Sequence, residues 1–123
     1  MADYIPIFKP GDDITMTAGA AINAGELCYV SAANTVQKTA AAVEDWLGVA
    51  TTDAPSGGKV GITSGGVQEL AVAAAVVAGD VLISAANGRV TPIASETNYA
   101  RVVGIALTAQ STTGQKCRVK MAR

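Results

Sequence analysis

Few side chains in this sequence carry reactive groups, and their spacing limits what they can do. Glu26 and Asp80 stand in matching Ala-Gly-acid contexts, where two carboxylates could share acid and base roles. Each also completes a local turn signature, in which glycine supplies a positive φ and the acid accepts from nearby backbone amides. The turn role accounts for both residues at once, and no neighbouring group would shift a carboxyl pKa. Ser56-Gly57-Gly58-Lys59 has the outline of a phosphate loop. Such a loop needs a glycine six residues before its lysine and a Ser or Thr after it, and Asp53 and Val60 stand there instead. The segment reads as a hairpin turn. Asp12 and Asp13 are adjacent, so on an extended chain they point to opposite sides and do not converge on a cation. Cys28 and Cys117 lack metal-ligand spacing and read as small packed hydrophobes. There is no histidine, which removes Ser-His-Asp and Cys-His mechanisms and the commonest metal ligand. No enzymatic activity, metal or cofactor is expected.

The elements that hold these residues must come from a chain of 123 residues, a length for one domain. Alanine contributes 24 residues, while Leu, Ile, Val and Phe total 28, enough for a folded core of small aliphatic side chains. At about 25 cal/mol per Å² of apolar burial, such a core stabilises less per residue than one rich in Leu and Phe, and oligomerisation is a natural supplement. The net charge of −1 argues against the positive field that sequence-independent nucleic-acid binding requires. The longest apolar run, Leu70 to Ala78, is too short to span a bilayer, and no secretory signal is expected. A reducing cytoplasm is the expected site of synthesis.

An internal repeat organises the rest. Ile22–Asn34 reads INAGELCYVSAAN and Val76–Asn87 reads VVAGDVLISAAN; with one residue of slip they share Ala-Gly-acid-apolar and Ser-Ala-Ala-Asn. Gly11 to Gly25 matches Gly65 to Gly79 without a gap, Leu47-Gly48-Val49-Ala50 matches Val103-Gly104-Ile105-Ala106, and Gly57 to Val60 matches Gly114 to Cys117. The expected organisation is an N-terminal arm, residues 1–10, and one β-domain, residues 11–123, with repeats at about 11–64 and 65–121. Two units are too few for a solenoid, so the copies are expected to form two halves of one closed β-structure.

Each copy reads as short strands and turns. Strands are expected at Leu27–Ser31, Trp46–Thr51, Lys59–Thr63, Val67–Val72, Val81–Ser84, Arg101–Thr108 and Lys116–Met121. Asn87-Gly88 is the clearest hairpin signal, and Asn34-Thr35 at the matching place requires a different turn. Gly48 and Gly104 mark places where backbone or a bend comes close. Ala40–Asp45 is compatible with a helical turn, and Ala73–Ala78 with strand or loop. The expected fold class is all-β, a small compact barrel- or sandwich-like domain of two similar halves.

Two surfaces stand out. Lys116, Arg118 and Lys120 alternate with Cys117, Val119 and Met121, which puts three cations on one face of a strand. That face suits solvent, a sheet edge kept soluble by lysine, or an acidic partner. In the arm, Tyr4, Ile5, Ile7 and Phe8 lie beside Pro6 and Pro10; such a segment is either an apolar protein contact or a first edge strand packed on its own domain. Trp46 and Tyr29 read as core or interface anchors.

In order and spacing, I-x-A-G-E-L-x-Y-V, L-G-V-A-x-T-D-A-x-x-G-G-K-V, A-G-D-V-L-x-S-A-A-N-G-x-V-T, V-G-I-A-L-T-A and a closing K-C-R-V-K-M resemble the capsid decoration, or cement, proteins of tailed bacteriophages. The resemblance runs from about Asp13 to Met121. It implies a compact β-domain on the outer surface of a phage head, usually a homotrimer, tying major capsid subunits together after the shell expands. It brings no catalytic residues. It places the capsid contact on the arm, here Tyr4, Ile5, Pro6, Ile7 and Phe8, with Lys116, Arg118 and Lys120 as a possible partner-facing stripe. The alternative is a ligand- or glycan-binding β-module on the virion, for which Trp46 and Tyr99 are the first aromatic candidates.

Overall fold

The computed structural model describes residues 7, 8 and 11–123. Ten strands follow one another: β1 (Ile14–Ala18), β2 (Leu27–Ala32), β3 (Thr35–Lys38), β4 (Trp46–Ala50), β5 (Lys59–Thr63), β6 (Val67–Ala71), β7 (Val81–Ala85), β8 (Arg89–Pro92), β9 (Val102–Ala106) and β10 (Lys116–Met121). All seven expected segments contain a strand. β8 is the strand that the Asn87-Gly88 hairpin signal implies; β1 and β3 were not anticipated, although ITMTA alternates apolar and polar residues, and β3 has only four residues. Ala40–Asp45 is not helical. It runs across the other repeat, where Ser84 Oγ accepts from Val43 N at 2.9 Å and donates to Ala41 O at 3.0 Å, and these distant partners override any local helical preference. Ala73–Ala78 is a loop with one bridge, Val76↔Gln110.

The architecture is all-β with two similar halves, but the halves do not share one closed sheet. The first copy closes on itself in the order β1-β3-β2-β4-β5; the second forms its own sheet, β6-β10-β9-β7-β8. Pairing partners within a copy are close in sequence, so their ladders close shorter loops at lower entropic cost. Both follow the same circuit. β1 pairs antiparallel with β5 and parallel with β3, through Thr17↔Thr35 and Ala18↔Val36. β6 pairs antiparallel with β10, and the parallel step survives as the single bridge Val72↔Val90.

The duplication extends to individual hydrogen bonds. Gly25 N donates to Ala50 O as Gly79 N does to Ala106 O, both at 2.8 Å, and Thr39 N donates to Leu27 O as Ile93 N does to Val81 O, both at 2.9 Å. β2 and β7 carry register shifts at matching places against β4 and β9, between Cys28 and Tyr29 and between Leu82 and Ile83. The one-residue slip between the two Ser-Ala-Ala-Asn segments also has a physical basis. A second irregularity in β2, between Val30 and Ala32, adds Ser31, and the β2–β3 turn is then one residue shorter than the β7–β8 turn. Asn87 and Gly88 both have positive φ (61° and 67°), as the hairpin signal required, while in the first copy only Asn34 (φ 51°) does.

Gly48 and Gly104 are the close approaches that the sequence marked. A Cβ at Gly48 would collide with the carbonyl oxygen of Thr63, and one at Gly104 with that of Lys120. Two hydrophobic clusters result. The smaller fills the first sheet with Ala18, Ile22, Cys28, Val36, Ala50, Ala54, Val60 and Ile62. The larger fills the second sheet and takes in Leu27, Trp46 and Val49 from the outer face of the first, joining the halves.

Candidate interaction surfaces

Glu26 and Asp80 sit in identical turns. Glu26 Oε1 accepts from Asn23 N at 2.7 Å, and Asp80 Oδ2 from Val77 N at 3.0 Å, each three residues back. Their carboxylates satisfy backbone amides that a Gly-containing turn leaves unpaired. Lys59 Nζ donates to Thr17 Oγ1 at 2.9 Å across β1 and β5. The Ser56–Gly58 segment is a turn, as expected, with Gly58 N donating to Pro55 O at 2.9 Å. Glu26 lines a cleft of about 470 Å³ between the halves, and neither Asp80 nor Lys59 lines it, so the three groups do not converge.

That cleft holds Lys38, Arg89 and Lys116 with the Glu26 carboxylate. Lys38 Nζ and Glu26 Oε2 are 3.9 Å apart, a weak exposed pair. Cys28 and Cys117 are both buried and unpaired with each other. Burial, followed by the nearby Glu26 charge, pushes the Cys28 thiol up to about 12, and burial also raises Cys117, so neither is a nucleophile at neutral pH. Among the described residues no group of three His, Cys, Asp or Glu side chains could hold a metal ion, and no helix is long and apolar enough to cross a membrane.

The basic stripe has the expected alternation. Lys116, Arg118 and Lys120 are exposed, and Cys117, Val119 and Met121 are buried. β10 is not an edge strand, because β6 and β9 flank it. Glu69 lies opposite Arg118 in the ladder, which offsets part of the positive charge, and Lys116 lies at the cleft rather than on open surface. In the arm, Ile7 and Phe8 are exposed (88% and 41%), while Tyr4, Ile5 and Pro6 lie outside the described residues.

Trp46 is 2% exposed, with the Arg123 guanidinium 4.3 Å from its ring centroid. Arg123 Nη2 also donates to the carbonyl oxygens of Glu44 and Trp46. Tyr99 is exposed, so the two aromatics do not form a stacking platform. Sequence reasoning missed a different surface: Val67, Ile105 and Leu107 are all exposed on or beside the second sheet. The repeat carried the signal, since Ile105 matches Val49, a residue the first copy buries.

The chain matches the phage cement protein family over residues 8–121. Among solved structures it is similar to the head fiber gp8.5 N base of bacteriophage phi29. The TM-score is 0.65 at 20% sequence identity, over 89% of this chain and 92% of that one. At that identity the likeness is one of fold. No curated protein matches the chain.

Proposed function

The chain belongs to the phage cement protein family and is a virion structural protein; from that premise we propose that it binds the outer surface of the capsid and stabilises the expanded head by bridging major capsid subunits. The family match from residue 8 to residue 121 carries this reading. The groups that sequence analysis singled out for chemistry support it, because the structure uses them in turns and packing. A family of this kind suggests a role without catalysis.

Cement acts through several modest contacts at once. A homotrimer on the capsid surface needs only a few kcal/mol at each site, because linked binding events raise the effective affinity steeply. The proposed capsid contact is the arm, through Tyr4, Ile5, Pro6, Ile7 and Phe8. Exposure of Ile7 and Phe8 supports it, since an apolar, proline-bearing segment can add to a capsid edge by main-chain pairing. The stripe of Lys116, Arg118 and Lys120 is a secondary candidate for an acidic capsid surface.

Deletion of residues 1–10 tests the arm. Co-sedimentation with expanded heads of the encoding phage is expected to weaken at least tenfold. Undiminished binding would remove the arm from the contact, and full-length protein that ignores expanded heads would overturn the cement reading. The glycan-binding alternative loses its main support with the burial of Trp46.

A further inference from the structure

The ladders align the two repeats residue by residue. Leu27↔Val49 corresponds to Val81↔Ile105, Tyr29↔Trp46 to Ile83↔Val102, and Thr17↔Lys59 to Ala71↔Lys116. Val30↔Val36 likewise corresponds to Ser84↔Val90 and Cys28↔Lys38 to Leu82↔Pro92, which matches Arg89 with Thr35 and Lys38 with Pro92. At these places the copies differ in charge. Lys59 is engaged by Thr17, whose hydroxyl accepts from it at 2.9 Å. Lys116 faces Ala71, which has no hydroxyl, and its ammonium lies 3.3 Å from the point that a Cβ on Gly25 would occupy. At Gly79, the counterpart of Gly25, nothing comes within 4 Å of that point. Arg89 Nη2 lies 3.6 Å from the Cβ position at Gly114, and at its counterpart Gly57 the space is empty. Thr35 spends its hydroxyl in its own turn, donating to Ala33 O at 2.9 Å.

The fold gathers these cations in the cleft between the halves. Gly88 N donates to Thr39 O at 3.0 Å, and a Cβ at Gly88 would collide with that of Glu26, so the β7–β8 turn presses on the first repeat. That contact brings Arg89, which follows Gly88, to the same cleft as Lys38, which precedes Thr39. Three of the chain's nine basic side chains line it, from β3, β8 and β10, with one carboxylate, Glu26. Glu26 Oε1 already accepts from Asn23 N, and Oε2 stands 3.9 Å from Lys38 Nζ. Three positive charges against one negative leave an excess of two. Arg89 is half-buried, and among the described residues neither its guanidinium nor the Lys116 ammonium has a hydrogen-bond or ion-pair partner. Guanidinium donors drawn out of bulk water need acceptors, and like charges gathered in one cleft repel. The turns themselves do not require the charges, since Thr35 and Pro92 serve the corresponding places without them.

We propose that this cleft binds a tetrahedral dianion, a phosphate group, between Arg89, Lys116 and Lys38. Its charge matches the excess of two. A planar carboxylate is satisfied by one guanidinium fork, whereas donors from three strands suit oxygens that point in several directions. The Asn87 side chain also lines the cleft and adds a neutral donor. A volume of about 470 Å³ accepts that group bare or esterified to a small alcohol, so free phosphate and a phosphate monoester share this chemistry. The site is separate from the arm and does not depend on the capsid contact.

The test is titration calorimetry of the full chain at about pH 7.5, where a phosphate group carries close to two charges. The titrants are inorganic phosphate, glycerol phosphate and an oligoglutamate. Wild type is expected to bind one phosphate per chain with a dissociation constant on the order of 1 mM or below. Arg89→Gln and Lys116→Gln are expected to weaken binding at least about tenfold, and an unchanged Trp46 emission spectrum verifies folding. Lys59→Gln, at the twin of Lys116, is expected to leave it unchanged. Glycerol phosphate that binds as well as the free ion assigns the site to an ester-borne group, and binding of the free ion alone assigns it to inorganic phosphate. A wild type that ignores both phosphates, variants at Arg89 and Lys116 that keep wild-type affinity, or an equal loss in Lys59→Gln would overturn the inference. Oligoglutamate that binds where phosphate does not would overturn it in favour of an acidic protein segment.

Discussion

The first repeat closes its sheet with two parallel pairs around a core in which Ala18, Cys28, Ala50 and Ala54 are prominent. The second is a five-stranded sheet with a single bridge, Val72↔Val90, at the matching place, around a larger core with Leu70, Leu82, Cys117, Val119 and Met121, and draws Leu27, Trp46 and Val49 across from its neighbour. Several main-chain hydrogen bonds recur in both copies, such as Gly25 N to Ala50 O and Gly79 N to Ala106 O, while the outward side chains differ. The difference shows which parts of a duplicated fold are free to diverge. Turn acids, close-packed glycines and the register shifts of β2 against β4 and β7 against β9 serve the local fold and stay alike. Outward residues answer to whatever lies against them, and the two copies have different neighbours.

The strongest way to break this comparison is at Trp46 and its counterpart Val102. Trp46→Ala removes the anchor of the shared core and is expected to cost about 3–5 kcal/mol. Val102→Ala on the half-buried equivalent is expected to cost about 1 kcal/mol in the isolated chain. Urea unfolding of the two variants measures both. Comparable losses would mean that the halves are not joined by the face described.

Gly48→Ala and Gly104→Ala sharpen the opposite claim, that the scaffold itself is the same. Each Cβ would meet a carbonyl oxygen of the neighbouring strand, Thr63 or Lys120. Each is expected to destabilise by roughly 3 kcal/mol, with the two values close to one another. Thermal melts that separate them widely would show that the β4–β5 and β9–β10 contacts are not equivalent.

The smallest expected effect is a pH dependence in a link that only one copy provides. Arg101 bonds Glu44 of the first repeat at 3.1 Å and Glu96 of its own repeat at 3.0 Å. The Arg101 hydrogen bond holds the Glu44 carboxyl below the usual range; for Glu96 the Asn98 amide does most of this, followed by Arg101. A depressed carboxyl contributes stability that is present above the unfolded value of about 4.3 and is lost as pH falls through the folded value. Arg101→Met is therefore expected to lower the melting temperature slightly at neutral pH, with the gap from wild type closing toward pH 3 or so. These groups are solvated, so the gap is small. A gap that widens on acidification would contradict the assigned partners.

Much of the scaffold was legible in the sequence because its causes are local. Glycine before an acid, Asn-Gly between apolar runs, and the alternation from Lys116 to Met121 act within a few residues of one another. The Ala40–Asp45 loop was not legible, because its partners on Ser84 lie more than 40 residues away. Nor was the face at Val67 and Ile105, since exposure depends on what a strand packs against. Trp46 was read as a core or interface anchor, and which half it anchors is a property of the assembled pair.

By itself, then, the sequence determined a duplicated all-β chain without histidine chemistry, its turns, its strand faces and its family resemblance, because backbone preference and side-chain period are encoded residue by residue. Only the tertiary structure decided that each copy forms its own sheet, and that one outer face is buried while its twin is open. Those outcomes depend on contacts between segments distant in the chain, and the free energy of such contacts exists only once both surfaces are built.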